Sequence, residues 1–222
     1  MSKRNEAYVG VSGVVSPDQQ ERIITSSRLS GLYDYRRQAI GIKAVHKTQY
    51  LDIPNKYGDN WYPVGEEAFS SSVKNDEVRT YNVAQMYLEP EAIMDDHQYP
   101  RKFVEKIKKR GSAILDAIQF DLLPYQENPK LWSHFINITR DQDFGVIVQA
   151  HRQAMEKGPK QAVEDLKYLS DMAPIDYVLF DASHGEGKEM DSRTLASFLE
   201  AAYASQDLEE RGTNFGVAGG LD

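Results

Sequence analysis

The chain has 222 residues, with 26 Lys+Arg against 34 Asp+Glu and a formal net charge of -8 at pH 7, which excludes a strongly basic nucleic-acid binder. At 41% apolar and 27% charged residues it can bury a sizeable core, and no stretch approaches the ~18 uninterrupted apolar residues of a membrane span. Zero cysteines exclude a disulfide framework, a thiolate metal site and a cysteine nucleophile or base.

Short apolar runs recur, each followed by a polar turn and a segment with helical spacing, the alternation of a parallel α/β protein. The predicted strands are Tyr8–Val14, Ala39–Val45, Tyr81–Tyr87, Ala117–Phe120, Phe144–Val148, Tyr177–Asp181 and Phe215–Ala218. Between the first two, Ser16-Pro17-Asp18-Gln19 supplies an N-cap serine, a proline at the first helical position and a capping-box glutamine. Pro100 opens a helix with Phe103, Val104 and Ile107 inward, Arg101, Lys102, Lys106, Lys108 and Lys109 outward as a solvated face, and Gly111 as its stop. Pro159 begins a helix carrying Val163, Leu166 and Leu169, and Asp191 caps one carrying Leu195, Phe198 and Leu199. Two insertions break the rhythm: 52–72, read as a long loop with a short helix, and 122–137, read as an irregular helix.

Seven strands in a chain of this length give the spacing of a (β/α)8 TIM barrel, α/β in class, one βα unit short. The expectation is a single barrel domain over 1–222 with the eighth unit missing from this chain; an open doubly wound sheet is the alternative, disfavoured because proline stands in the first βα turn where a dinucleotide site needs glycines. The N-terminal residues Met1 to Glu6 carry charge with no apolar region behind them, so a cytoplasmic location is expected.

In a parallel barrel the C-terminal ends of the strands converge on one mouth, which directs attention to Ser12, Lys43, His46, Gln85, Gln119, Asp121, His151, Asp181 and Gly219-Gly220. Asp181 stands out. It follows a buried run and precedes the glycine turn Ser183-His184-Gly185-Glu186-Gly187, where a partly desolvated carboxyl acts as general acid or base. Gly219 and Gly220 let backbone N–H groups approach a phosphate closely.

Val9-Gly10-Val11-Ser12-Gly13-Val14-Val15-Ser16-Pro17-Asp18, Ala117-Ile118-Gln119-Phe120-Asp121, Val178-Leu179-Phe180-Asp181 with Gly185 to Asp191, and Val217-Ala218-Gly219-Gly220-Leu221 together resemble the strand motifs of the phosphoribosylanthranilate isomerase family, in order along nearly the whole chain. The resemblance implies a cofactor-free, metal-free isomerase of the ketol-isomerase type in tryptophan biosynthesis. Asp181 would be the general acid, Gly219 and Gly220 would hold phosphate, and Gln119 and Asp121 would sit in the substrate site. Ser12 stands where the family has its general-base cysteine, and a hydroxyl is negligibly ionised at neutral pH. Lys43 and His46 on the second strand are the candidates to activate Ser12, and Lys43 or Lys47 to face a substrate carboxylate. The expected protein is therefore a diverged member, an isomerase or lyase acting on a phosphorylated sugar-type small molecule through Asp181. The alternatives are the authentic isomerase and a catalytically inactive ligand-binding or interaction barrel. The expected partner is that phosphorylated ligand, with no nucleic acid and no membrane; the oligomeric state is left open.

Overall fold

The computed structural model describes residues 8–31, 37–52, 54, 63, 65–71, 80–87, 98–111, 114–121, 129–181 and 191–218. Numbered in chain order, its elements are β1 Tyr8–Ser12, α1 Pro17–Leu29, β2 Arg37–Val45, a π-helical turn His46–Tyr50, α2 Gly65–Ser71, β3 Thr80–Tyr87, α3 Tyr99–Gly111, β4 Ala117–Asp121, α4 Pro129–Asp141, β5 Gly145–His151, α5 Arg152–Glu156, α6 Pro159–Met172, β6 Tyr177–Asp181, α7 Ser192–Tyr203, α8 Gln206–Glu210 and β7 Asn214–Ala218. The strands are ordered in the sheet as they are in the chain, the pattern of repeated βα units. All seven predicted strands are present. The chain divides into two compact units, Met1–Gln119 with Gln142–Phe144, and Phe120–Asp141 with Gly145–Asp222.

In the first unit β1, β2 and β3 pair in parallel, with Gly10 opposite Ala39, Ser12 opposite Gly41 and Lys43 opposite Gln85. Alternation along the strands separates two faces. One carries Ile40, Ile42, Ala44, Ala84 and Met86, all fully buried. The other carries Gly10, Ser12, Ala39, Gly41, Lys43, Val83 and Gln85. Helix α1 begins as its sequence dictates: Ser16 Oγ accepts from the N–H of Gln19, and Gln19 Oε1 reaches back to the N–H of Val15. Gly31, at φ 71°, follows the end of the helix in the left-handed region that glycine enters without strain.

The short helix expected within 52–72 is α2, and the turn that precedes this segment is held by contacts the sequence did not reveal. The π-helical turn after β2 is locked to α3 by a buried guanidinium. Arg110 Nη1 donates to the carbonyl of Gln49 at 2.7 Å and to its Oε1 at 2.8 Å, while Nη2 meets Asp52 Oδ1 at 2.6 Å. Lys106, expected in the solvated face, instead donates to the Tyr50 carbonyl at 2.7 Å and to Asp52 Oδ2 at 3.3 Å. Asp52 is thereby held at φ 59°, unusual for a residue with a side chain. Tyr50 completes the lock by packing edge-on against Tyr99 and Phe103. Arg101, Lys102, Lys108 and Lys109 are exposed, as the helical spacing predicts.

In the second unit β5, β6 and β7 pair in parallel, with Gln149 opposite Leu179, His151 opposite Asp181 and Asp181 opposite Ala218. The Phe180 ring lies 5.5 Å from that of Phe198 of α7 in a tilted arrangement and stacks 6.4 Å from Phe215, so the helix covers the face that Phe180 occupies. Val163, Leu166 and Leu169 of α6 and Leu195 and Phe198 of α7 are buried as their spacing requires. Asp191 caps α7 through the N–H of Arg193 and the hydroxyl of Thr194, which holds its carboxyl below the usual carboxylate range. The segment expected as an irregular helix contains a regular one, α4, opened by Pro129 at a position that has no hydrogen bond to lose. Among the described residues no helix is long and apolar enough to cross a membrane.

Candidate active site

Ser12, Asp121, His151 and Asp181 are each the last residue of a strand, β1, β4, β5 and β6 respectively. The two compact units carry separate groups of the expected residues. At His46, Asp121 and His151 the backbone is described and the side chain is not; Gly219, Gly220 and the glycine turn 182–190 lie outside the described residues.

In the second unit Asp181 is 4% exposed. Alternation sets it opposite to Phe180, and since α7 covers the Phe180 face, the carboxyl points to the opposite face of the sheet. Gln149 shares that face through the register of β5 and β6, and its Nε2 donates to Asp181 Oδ2 at 2.7 Å. An amide donor on one carboxylate oxygen fixes the plane of the group, the requirement for a proton to pass along a defined direction. Gln149 was not among the residues expected from the sequence. The signal was available: it is a polar residue directly after the run Val146-Ile147-Val148, two positions before His151 and so of the same parity as the strand-end residue.

In the first unit Ser12, Lys43, Gln85 and Gln119 come together. Ser12 lies in register with Gly41, Lys43 with Gln85, and Gln85 Nε2 approaches Gln119 Oε1 at 3.4 Å. Gln85 and Gln119 are buried, Lys43 is half-buried and Ser12 is exposed. The side chain of Gln85 lies over Gly41, where a Cβ would stand 2.9 Å from the amide carbon and nitrogen. Among the described residues no group of three or more His, Asp or Glu side chains is placed to hold a metal ion.

No family model matches the chain, and no curated protein matches it. Solved structures do. A tryptophan synthase α subunit from Pyrococcus furiosus matches with a TM-score of 0.55 at 17% identity, covering 99% of this chain and 88% of that one. A structure of the tryptophan synthase α2β2 complex from the same organism matches at 0.51 and 18% identity, covering 99% and 89%. Phosphonopyruvate hydrolase matches at 0.55 and 12% identity, covering 97% and 76%. At these identities the likeness is one of fold, and the fold is that of the TIM-barrel enzymes, with seven strands among the described residues.

This corrects the family expected from the sequence. The neighbours are tryptophan synthase α and phosphonopyruvate hydrolase, with no support for phosphoribosylanthranilate isomerase. The motifs that suggested it are strand ends and glycine turns, which any chain of parallel βα units needs in the same order for geometric reasons. With that family set aside, nothing assigns Ser12 the place of a missing cysteine base.

Proposed function

We propose that this chain is a TIM-barrel enzyme of the isomerase or lyase type, acting on a small hydroxylated or phosphorylated molecule, with Asp181 as the proton-transfer group and Gln149 as its positioning residue. The observation that carries the reading is the 2.7 Å bond from Gln149 Nε2 to a carboxylate 4% exposed, at the end of β6 and on the face opposite the one that α7 covers. A carboxyl needed only for stability belongs at the N-terminal ends of barrel strands, and one at the C-terminal end belongs where barrel chemistry occurs. The enzyme neighbours support the class. Gly219 and Gly220, which follow directly on the end of β7, remain the proposed phosphate contacts through their backbone N–H groups.

The test is a substrate screen. The protein is incubated in D2O with a panel of phosphorylated aldoses and ketoses and 2-oxo acids, and deuterium uptake and new products are followed by NMR. Wild type should exchange or convert at least one member, and Asp181→Asn should lower that rate by about 10² to 10⁴ with the fold intact. A panel untouched by wild type, or converted equally by Asp181→Asn, rejects the assignment.

A further inference from the structure

The amide of Gln85 is built in a way that costs stability twice. It is 7% exposed, and among the described residues its Oε1 has no hydrogen-bond partner, while Nε2 makes a long contact to Gln119. A buried polar atom left unpaired costs about 1–3 kcal/mol. The second cost lies beneath it. Gly41 sits inside β2, where a glycine is worse than alanine by roughly 0.5–1 kcal/mol, and the space it leaves is where the Gln85 amide lies: a Cβ at 41 would approach Cδ and Nε2 to 2.9 Å and Oε1 to 3.2 Å. Glycine within a strand marks a close approach by backbone or ligand. Methionine or leucine at 85 would fill this volume with no polar atom to satisfy, so packing alone does not explain the pair.

The surroundings match a recognition site rather than a core. Gln85 stands in the C-terminal half of β3, Lys43 lies opposite it in β2, and Ser12, at the end of β1, shares the face and is exposed. We propose that Gln85, set over Gly41 beside Ser12 and Lys43, is a specificity-determining residue whose side-chain carbonyl accepts a hydrogen bond from a hydroxyl of a sugar-type ligand. The proposal deepens the reading of a small-molecule enzyme and rests on it, but it concerns binding in the first unit and requires no turnover.

The test uses the full chain, with D-ribose 5-phosphate as the probe and inorganic phosphate as the comparison, titrated by NMR, and thermal unfolding without ligand as a second measurement. Wild type should bind the sugar phosphate more tightly than phosphate. Gln85→Met should bind the sugar phosphate three- to tenfold more weakly, the range lost with one hydrogen bond, with phosphate affinity unchanged and a Tm equal to or above that of wild type. Binding unaltered in Gln85→Met, equal affinities for the two probes, no binding of the sugar phosphate by wild type, or a Gln85→Met protein with a clearly lower Tm would each overturn the proposal, the last by showing that the amide serves the fold. Since Asp181→Asn leaves this site intact, sugar-phosphate binding by that variant separates failure here from failure of the proton-transfer assignment.

Discussion

Asp176 holds the start of β5 by the same pair of bonds with which Asp116 holds β3. Each aspartate is the residue immediately before a strand, β6 or β4. The N–H of Asp176 donates to the carbonyl of Val146 at 3.0 Å, and its Oδ2 accepts from the N–H of Val146 at 2.7 Å. Asp116 does the same with Asn82, at 3.0 and 2.9 Å. Each also faces an arginine, Arg140 at 3.0 Å for Asp176 and Arg37 at 3.9 Å for Asp116. Both therefore close the N-terminal ends of their strands, the end of a barrel concerned with stability, whereas Asp181 stands at the other end of β6.

The two aspartates should differ in what their loss costs. Asp176 is the more buried and has the closer cation, so Asp176→Ala leaves Arg140 and the Val146 N–H unpaired and should destabilise by about 3 kcal/mol. Asp116→Ala, at a more exposed site with a longer ion pair, should cost about 1–2 kcal/mol. Urea unfolding of the two variants checks the order, and equal losses would contradict it.

Gln149→Leu should spare the fold and impair the chemistry. The amide is half-buried and its bond to Asp181 orients the carboxylate, so its loss should lower kcat by roughly ten- to a hundredfold, the scale of a small misplacement of a reacting group, with KM changed little. A kcat equal to wild type on any substrate that Asp181→Asn fails to convert would show that Gln149 positions nothing.

Asp52 contributes to acid sensitivity. Burial works against its charge, but the hydrogen bonds from Arg110 and Lys106 and their positive charges outweigh it, leaving the pKa below the ordinary 3.8. With the folded value lowered, the stabilisation is complete above pH 3.8 and fades as pH falls through the lower folded value. Asp52→Asn should therefore flatten part of the loss of stability below pH 3.8. At neutral pH it should cost less than about 1 kcal/mol, because the side chain is half exposed. Acid unfolding curves that superimpose for the two proteins would rule this out.

The glycines of β1 and β2 should respond differently to alanine. At Gly10 a new Cβ meets Ala39 Cβ at 2.8 Å and the Ala39 carbonyl oxygen at 3.2 Å, which the strand pairing cannot yield, so Gly10→Ala should destabilise by about 1–3 kcal/mol. At Gly41 the obstacle is the movable end of Gln85. Gly41→Ala should therefore be destabilising alone and stabilising, by about 0.5–1 kcal/mol, when Gln85 is already alanine. A double-mutant cycle by thermal unfolding gives the sign directly.

What the sequence by itself determined is local. Seven strands, the Ser16 cap of α1, the Pro159 start of α6 and the Asp191 cap of α7 follow from apolar runs, capping side chains and proline placement, all of which act within a few residues. Asp181 was legible for the same reason, as the acid that ends a buried run. Tertiary structure decided the rest, because the deciding contacts join residues far apart in the chain. The lock of Arg110 on Gln49 and Asp52, which turns a basic helix end into a buried anchor, spans about sixty positions, and the bond from Gln149 to Asp181 spans 32. The pairing of Gly41 with the Gln85 amide is visible only once β2 and β3 are in register. The family suggested by the motifs was wrong on that account as well: strand ends and glycine turns recur wherever parallel βα units must be closed, and only the arrangement of side chains on one face distinguishes one barrel from another.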